Sequence, residues 1–273
     1  MDRWIRRTVE RALGDKVQVA NAARVTDVDA LVARLRPYRA KRPLRRFGPA
    51  TDGGYLMPDD LEGIVGCLSP GVSFECRFDE DISARGIDVF MADASVDQPP
   101  VANPRFQFIK RFLDIVDSDM TITLDTLAAM APAGELLLQM DIEGAEYRVL
   151  TSASPELMRR IRIAVIEFHD LDQMFSRFGF NAIAPVFDKL LKTHRVVHIH
   201  PNNTSQPVQR AGLAVPPCME FTFCRIDRTT DITQPLSFPH PLDAPCVPGQ
   251  PNFALPRCWQ GRRSASRIRR PRS

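Results

Sequence analysis

The sequence lacks the patterns that identify several large classes of protein. No apolar run approaches the ~18 to 20 residues that a membrane-spanning helix needs. The N-terminal segment contains basic residues but no continuous apolar region of the kind found in secretory signals. Six cysteines are present and none forms a CxxC pair, so we expect neither a structural zinc site nor a redox dithiol. Reduced thiols and a cytoplasmic location are the default expectation.

Two phosphate-binding motifs are also missing. After the first predicted strand only Gly71 lies near the turn. A dinucleotide needs closely spaced glycines there, because backbone amides must reach the pyrophosphate. This argues against NAD or FAD, whereas a cofactor with an adenosine but no phosphate needs only a tight turn and an acid for its ribose. There is no P-loop lysine motif either.

Positive charge is concentrated at the two ends of the chain. Residues 1–47 carry thirteen Lys or Arg against five Asp or Glu, and residues 261–273 carry six Arg and no acid. The chain as a whole has a net charge of +3, so residues 48–260 are net acidic. An acidic body does not resemble a nucleic-acid-binding core. We expect solvated, partly disordered ends, with weak contact to anionic membrane surfaces or RNA as the alternative.

Strand-like apolar runs alternate with helical patterns from Phe47 onward. The predicted strands are 63–69, 88–92, 106–109, 136–140, 161–167, 195–199 and 220–225. The predicted helices are 75–85, 123–130, 143–151 and 171–192, the last divided at Gly179 and Pro185. Such alternation indicates an α/β domain with parallel strand pairing and helices on both faces of the sheet.

The pattern predicts four parts in the chain. They are a helical extension over 1–46, the main domain over 47–227, a proline-rich wrapping segment over 228–260 and a basic disordered tail over 261–273. The extension reads as two short helices that pack on the main domain, because they are too short to bury a core of their own. The second helix has its apolar face at Val28, Leu31, Val32 and Leu35, with Thr26 and Asp27 as caps and Pro37 after its end.

Polar residues stand where the predicted strands end. Open α/β sheets bind ligands beyond the carboxyl ends of their strands, so these residues are candidates for a site. Gly71 and Glu75 follow the first strand, Asp93 the second, Asp141 and Glu143 the fourth, and Glu167 and His169 the fifth. An acid after the second strand usually holds ribose hydroxyls, because a carboxylate accepts two hydrogen bonds from a vicinal diol.

Four stretches resemble the FkbM-type family of S-adenosylmethionine-dependent methyltransferases. They are DGGYLMPDDL (52–61), GVSFE (71–75) with Asp93 downstream, QMDIEGAEYRVL (139–150) and IEFHDL (166–171). The resemblance covers about residues 47–245, and its most specific part is the D-x-E-G-A-E block that begins at Asp141. It implies a three-layer Rossmann-like methyltransferase sheet, mostly parallel with an antiparallel final strand, together with the N-terminal helices.

The resemblance also implies an activity and roles for residues. The activity is methyl transfer from S-adenosylmethionine, most often to an oxygen of a small molecule or saccharide. Asp93 would bind the ribose hydroxyls, Gly71 and Glu75 would form the turn on the cofactor side, and Asp141 would face both cofactor and acceptor. No metal ion and no specific nucleic acid is expected.

Glu167 and His169 are the candidates for binding the acceptor or removing its proton. They lie two residues apart, so both face one side if the strand continues that far. The chemistry needs the nucleophile aligned with the methyl group, and a base for the hydroxyl proton.

Other interpretations of the same residues stay open. Asp141, Glu143 and Glu146 could cap the following helix, where acids favour the positive end of the dipole. His198, His200 and Glu220 could suggest a metal, although no tight ligand spacing supports it. Two other functions are a metal-assisted hydrolase and a non-catalytic cofactor-binding module. The hydrolase would use Asp141, Glu143, Glu167 and His169.

Overall fold

A computed structural model describes residues 21–231 and 238–260 of the chain. Its strands are β1 (Arg39–Ala40), β2 (Leu44–Phe47), β3 (Tyr55–Pro58), β4 (Ile64–Pro70), β5 (Val89–Ala92), β6 (Phe106–Ile109), β7 (Phe112–Leu113), β8 (Thr121–Ile122), β9 (Glu135–Met140), β10 (Ile161–Phe168), β11 (His194–Pro201), β12 (Val208–Arg210), β13 (Leu213–Val215), β14 (Met219–Arg225) and β15 (Thr229–Thr230). Its α-helices are α1 (Val25–Arg34), α2 (Arg77–Ser83), α3 (Leu124–Ala129), α4 (Glu146–Ser152), α5 (Pro155–Arg160), α6 (Arg177–Leu190) and α7 (Arg257–Gln260). Short 3₁₀ helices span Leu171–Phe175 and Ile226–Arg228.

Seven strands form the central sheet in the order β11-β14-β10-β9-β4-β5-β6. β14 is antiparallel to both of its neighbours, β10 and β11. The other four pairs of neighbouring strands are parallel. The chain runs outward from β4 through β5 to β6 and then returns to β9 on the other side of β4. The strand order therefore reverses between β4 and β9, which is where an open sheet leaves a ligand crevice. The predicted fold class is confirmed, including the antiparallel final strand.

Each central strand buries both of its faces. In β9, Leu136 and Leu138 lie in one hydrophobic core while Leu137, between them, lies in the other. In β10, Ile166 and Val165 divide in the same way. Because side chains alternate along a strand, a continuous apolar run is what a strand buried on both faces requires. Each fully buried Leu or Ile contributes roughly 1.5–3 kcal/mol through its removal from water.

Different elements cover the two faces of the sheet. Apolar side chains of α1, α3, α4, α5 and α6 pack in the first core. The second core is closed by α2 and by the antiparallel hairpin of β2 and β3, through Phe47, Tyr55 and Met57. The first strand of this hairpin begins at Leu44, inside the predicted extension over 1–46. It also brings Tyr55 to the carboxyl edge of the sheet, where its hydroxyl lies 3.4 Å from Gln139 Nε2.

The predicted division of the 171–192 helix at Gly179 and Pro185 is wrong. A 3₁₀ turn precedes α6, which then continues through both residues. The Ser176 hydroxyl caps the helix by accepting the Gly179 N–H at 2.9 Å. Gly179 is required for packing, because a Cβ there would lie 2.3 Å from the carbonyl oxygen of Gln173. The helix persists at Pro185 because its apolar face is buried, at Ile183, Val186, Phe187 and Leu190.

The N-terminal region differs from the prediction in its boundaries. α1 begins at Val25 after Arg24, with no side-chain cap, so the predicted caps Thr26 and Asp27 are wrong. Asp27 lies in the first turn and accepts a hydrogen bond from Arg24 Nε at 2.9 Å. The first predicted helix lies within residues 1–20, and the predicted tail over 261–273, so both fall outside the described residues.

Residues 238–260 lie against the main body of the protein. Trp259 is fully buried and its Nε1 donates to the carbonyl oxygen of Ala214 at 2.9 Å. Asn203, just after β11, donates from Nδ2 to the carbonyl oxygens of Val247 and Gln250. The four-part division of the chain stays a prediction. Within 21–231 and 238–260, none of the helices is long and apolar enough to cross a membrane.

Candidate cofactor and acceptor site

The turn after β4 touches the end of β9. Gly71 has φ +88°, and a Cβ at this position would lie 1.8 Å from the carbonyl oxygen of Asp141. Only glycine adopts this backbone conformation at no steric cost and allows such a close approach. Gly71 therefore allows a close approach between the ends of β4 and β9, where the strand order reverses. The predicted site residues Gly71 and Asp141 are in contact.

Asp93 follows β5 and fixes the two neighbouring loops. One carboxylate oxygen accepts the backbone N–H of Ser73 at 3.0 Å, and the other accepts the N–H and hydroxyl of Ser95 at 2.7 and 2.6 Å. Burial favours the neutral acid, but these hydrogen bonds outweigh it and lower the pKa of Asp93 below its ordinary value. The side chain is therefore ionised at neutral pH. Oδ2, which accepts only one of these bonds, has a lone pair left for a ligand hydroxyl.

A cavity of about 260 Å³ opens beside Asp93. It combines a polar wall with an apolar one. Its lining residues are Gly71, Ser73, Ala92, Asp93, Ser95, Phe112, Leu113, Asp141, Ile142, Glu143, Ala145 and Arg148. This mixture suits a nucleoside, whose base needs apolar contacts and whose ribose needs hydrogen-bond acceptors.

A second cavity of about 270 Å³ adjoins the first and shares Gly71, Ser73, Asp141 and Glu143 with it. Five carboxylates line this second cavity, and among the described residues that line it none is Lys, Arg or His. The five are Asp52, Glu75, Asp79, Asp141 and Glu143. Such a lining favours a cationic ligand group, because negative charge exceeds positive charge around this cavity. Glu75 lies here as predicted, although its carboxylate also pairs with Arg77 at 2.6 Å.

Glu146 holds the acidic turn after β9. This side chain is fully buried, and its Oε1 accepts the backbone N–H groups of Ile142 and Gly144, each at 3.1 Å. Glu146 thus binds the turn that precedes its own helix and does not cap that helix, so the capping interpretation is wrong for this residue. Glu143 has φ +55° and an 86% exposed side chain, so it makes no cap and points into the open crevice.

The structure brings the imidazole of His169 into the middle of the acidic cluster. Its Nδ1 lies 3.3 Å from Glu146 Oε1, and its Nε2 lies 3.5 Å from Glu143 Oε2. Asp141 Oδ1 and Glu167 Oε1 each lie 3.9 Å from Nε2. Burial opposes the imidazolium, but the hydrogen bond to Glu146 and the surrounding negative charges raise the pKa of His169 to about 9. The three predicted catalytic residues therefore form one group.

Glu167 is deeply buried at the end of β10. Its Oε1 accepts hydrogen bonds from Asn202 Nδ2 at 3.0 Å and from the Cys218 thiol at 2.7 Å. Burial, with the nearby charge of Glu220, raises the pKa of Glu167 to about 7. Burial and Glu167 likewise raise the pKa of Asp141 well above its usual range. Glu167 can therefore exchange a proton near neutral pH at this end of the crevice.

His198 and His200, which the sequence suggested as a metal pair, contact different partners. His198 Nε2 lies 2.9 Å from Asp243 Oδ1, whereas His200 lies between Glu220 Oε1 at 3.4 Å and Asn252 Oδ1 at 3.3 Å. Burial acts against the charged form of His200, but Glu220 raises its pKa to about 9. Each imidazole is thus held by its own carboxylate. Among the described residues, His198 belongs to none of the groups of side chains that are close enough to share a metal ion, whereas His200 and His169 do.

Sequence reasoning missed several residues of the site. Asp52 was noted only as the start of the DGGYLMPDDL stretch and was given no role, yet it lines the second cavity. Glu220 was assigned only to a strand and a weak metal possibility, but it pairs in register with Glu167 across β14 and β10. An acid in the middle of an apolar strand was the available signal, because such a residue needs a partner. Ser95, Phe112 and Arg148 carried no signal, since only the tertiary arrangement of their elements brings them to the first cavity.

The site fits the adenosine-bearing cofactor expected from the sequence. Small-molecule sites range over about 300–1,000 Å³, and the two adjoining cavities together fall within that range. Asp93 is ionised and keeps an acceptor position on Oδ2 for a ribose hydroxyl. The carboxylate-lined second cavity suits the sulfonium and ammonium charges of a methionine moiety.

Comparison with known proteins finds a similarity to one family over part of the chain. Residues 103–210 match the model described as the methyltransferase FkbM domain, and no curated protein matches the chain significantly. Among solved structures, the N-methyltransferase NodS from Bradyrhizobium japonicum WM9 is 13% identical, with 60% of this chain and 87% of that chain covered and a TM-score of 0.31. A candidate RNA methyltransferase from Pyrococcus horikoshii is 9% identical, with 74% and 100% covered and a TM-score of 0.30. Neither structure bears on the substrate at this level of similarity. The matched segment, which is less than half of the chain, is thus similar to the methyltransferase FkbM domain, in agreement with the motifs found in the sequence.

Proposed function

We propose that this methyltransferase transfers a methyl group from S-adenosylmethionine to an oxygen of a small molecule or saccharide. One observation carries the proposal: a nucleoside-sized cavity at Asp93 opens into a carboxylate-lined cavity, and the two meet at Asp141. The arrangement provides a place for the adenosine, a place for the positively charged methionine moiety and an acidic residue where the two join.

The chain's own residues supply orientation and charge. Asp93 binds a ribose hydroxyl through Oδ2, and Gly71 lets the turn after β4 approach the ligand. Glu75 and Asp52 add negative charge beside the methionine moiety. S-adenosylmethionine supplies an electrophilic methyl group on sulfur. An enzyme of this kind accelerates the transfer mainly by alignment of the two reactants.

The acceptor side is the group of Asp141, Glu167 and His169. Asp141 lines both cavities, and the other two lie 3.9 Å apart just beyond it. An acceptor hydroxyl placed here is next to Asp141, whose pKa burial raises well above its usual range, and to Glu167, whose pKa is raised to about 7 so that it can take a proton near neutral pH. Glu167 would hold the hydroxyl proton that is released when the cofactor supplies its methyl group to the acceptor.

Calorimetric titration with S-adenosylhomocysteine tests the cofactor assignment. We expect wild-type protein to bind, and Asp93→Asn to bind about ten- to hundredfold more weakly, because a hydrogen bond to a charged group is worth about 1.5–3 kcal/mol. Asp97→Asn is the matched control: it makes the same substitution four residues away, at a 91% exposed side chain. No heat of binding by wild type at millimolar ligand would refute the cofactor assignment.

Transfer of radiolabel separates this function from its two alternatives. Protein incubated with S-adenosylmethionine labelled in its methyl group and with fractionated metabolites or glycans should label one class of acceptor. Binding of S-adenosylhomocysteine with no labelled acceptor in any fraction would favour the non-catalytic module. Metal-dependent stabilisation without cofactor binding would favour the hydrolase.

A further inference from the structure

Asp79 is the most buried of the five carboxylates that line the second cavity. It extends from α2 and is 4% exposed, whereas the side chains of Asp141 and Glu143 are 27% and 86% exposed. The Oδ1 atom of Asp79 is buried and has no hydrogen-bond partner within the part of the chain that the structure describes. A buried carboxyl oxygen without a partner is costly to the folded protein. Asp79 therefore presents an unsatisfied acceptor at the wall of this cavity.

Three uncharged polar side chains lie around Asp79 and are buried with it. Tyr55 and Gln139 line the same cavity, and Ser69 lies within hydrogen-bonding reach of the carboxyl. The Ser69 hydroxyl donates to Gln139 Oε1 at 2.8 Å, and Gln139 Nε2 donates to the Tyr55 hydroxyl at 3.4 Å. A connected network of this kind holds its members in place, but it supplies no positive charge to Asp79.

The charged groups near Asp79 oppose its ionisation. Burial, together with the negative charges of Glu75 and Glu80, raises the pKa of Asp79 to about 7. Cys67 on β4 and Cys76 before α2 also lie near it, and burial raises the pKa of both thiols, so both are neutral. At neutral pH the Asp79 carboxyl is therefore about half protonated in the free protein.

The strands that pack against α2 bring no free positive charge to Asp79. On β2, Arg46 donates to two backbone carbonyl oxygens and Arg45 lies 3.7 Å from Asp59. On β5, the residues Val89–Ala92 carry no charged side chain. Asp79 thus depends on a ligand for a compensating positive charge.

S-adenosylmethionine carries two positive charges, on its sulfonium sulfur and on its ammonium group. The second cavity has two buried carboxyl oxygens without a hydrogen-bond partner among the described residues, Asp141 Oδ1 and Asp79 Oδ1. Asp141 lies where the two cavities meet, whereas Asp79 lines only the second of them. With the sulfur atom next to Asp141, the methionine chain runs away from the nucleoside and carries the ammonium group toward Asp79.

We infer that Asp79 binds the ammonium group of the cofactor and releases its own proton to the solvent when it does so. The O–H bond of the neutral carboxyl breaks, the proton passes to the buffer, and Oδ1 accepts an N–H of the ammonium group. The two opposite charges then compensate each other inside the cavity. This assignment of the ligand group rests on the proposed cofactor. It predicts that cofactor affinity rises with pH, because the ionised carboxyl is the form that binds.

Calorimetry in buffers of different ionisation enthalpy measures the released proton. S-adenosylhomocysteine keeps the ammonium group, whereas 5′-methylthioadenosine has the nucleoside and the sulfur but no amino-acid moiety. At pH 7 we expect wild type to release about half a proton per S-adenosylhomocysteine bound, because Asp79 is about half protonated there. 5′-Methylthioadenosine should release none. Equal release with both ligands, or none with S-adenosylhomocysteine, would overturn the inference.

Asp79→Asn keeps the shape of the side chain and removes its charge. At pH 8 this variant should bind S-adenosylhomocysteine about ten- to hundredfold more weakly than wild type and bind 5′-methylthioadenosine equally well. Between pH 6 and pH 8 the affinity of wild type for S-adenosylhomocysteine should rise about tenfold relative to that of the variant. Asp81→Asn is the matched control on the same helix: its side chain is exposed, and an asparagine oxygen can still accept the Gly48 N–H.

The variant also separates a binding role from a structural one. Its melting temperature at pH 8 should be no lower than that of wild type, because the substitution removes a buried charge. A variant that binds S-adenosylhomocysteine as wild type does, or that binds both ligands more weakly, would overturn the role of Asp79 and leave the proposed cofactor standing. Failure of wild type to bind either ligand would refute the proposed cofactor and the role of Asp79 together.

Discussion

Replacement of Gly71 by alanine should lower the stability of the protein and weaken cofactor binding. The size of the stability loss follows from the structure. A residue with a side chain at φ +88° carries a backbone cost of about 1–2 kcal/mol. The new Cβ would also lie 1.8 Å from the carbonyl oxygen of Asp141. Backbone must move by about 1 Å or more to relieve this, at an added cost of about 1–3 kcal/mol. We expect Gly71→Ala to lower the free energy of unfolding by about 2–5 kcal/mol.

Gly86 provides a matched control for that prediction. It has φ +83°, but a Cβ there would meet nothing within 4 Å among the described residues. Gly86→Ala should therefore carry only the backbone cost, about 1–2 kcal/mol. Urea denaturation of the two variants measures the difference, and calorimetry should show that only Gly71→Ala loses S-adenosylhomocysteine binding. Equal losses of stability would refute the claim that β4 and β9 approach too closely for a side chain.

Three further predictions concern buried groups. Burial lowers the pKa of His194 to about 4, so the unfolded chain binds a proton below pH 6.5 that the folded chain binds only near pH 4. Relative to His194→Gln, wild type should lose up to about 3 kcal/mol of stability from pH 6.5 to pH 4 in urea titrations; parallel pH profiles would contradict this. Burial raises the pKa of Asp79 to about 7. The protonated side chain therefore stabilises the folded state at low pH, and this stabilisation is lost as the pH rises toward 7. Asp79→Asn should therefore gain about 3 kcal/mol over wild type between pH 5 and pH 8, and no gain would show that the carboxyl titrates normally. Trp259→Ala should lower the free energy of unfolding by about 3–5 kcal/mol, because the side chain is fully buried and hydrogen-bonded to the carbonyl oxygen of Ala214. A loss below about 1 kcal/mol would mean that residues 257–260 do not pack on the rest of the protein.

The central sheet could be predicted because burial on both faces leaves a direct trace in sequence. The runs of β9 and β10 are nearly all apolar, and their observed bounds lie within about one residue of the prediction. Short elements such as β2 and β3 left no such trace. They are four residues long, and pairing across the intervening turn, rather than periodicity, fixes them.

Helix α6 shows where local rules fail. Gly179 and Pro185 each disfavour a helix interior, yet the helix continues because tertiary contacts outweigh propensity. Gly179 is close to Gln173, and Ile183 and Phe187 pack into the first core. A sequence window contains Gly179 and Pro185 but not the core against which the helix packs.

The candidate site was predicted as separate residues and not as an arrangement. Asp141 and Glu167 stand at the ends of successive strands, which the sequence shows. That β9 and β10 are adjacent, so that His169 meets both acids, is set by strand order. Glu146 looked like an ordinary helix-start acid, and its hold on His169 Nδ1 depends on a chain reversal that residue spacing does not encode.

A crystal structure with S-adenosylhomocysteine would test the central claim most directly. The account predicts a ribose hydroxyl within hydrogen-bond distance of Asp93 Oδ2, the adenine beside Phe112 and Leu113, and the sulfur atom next to Asp141. Ligand bound away from the carboxyl ends of β4, β5 and β9, or crystals that stay ligand-free at saturating concentration, would contradict it.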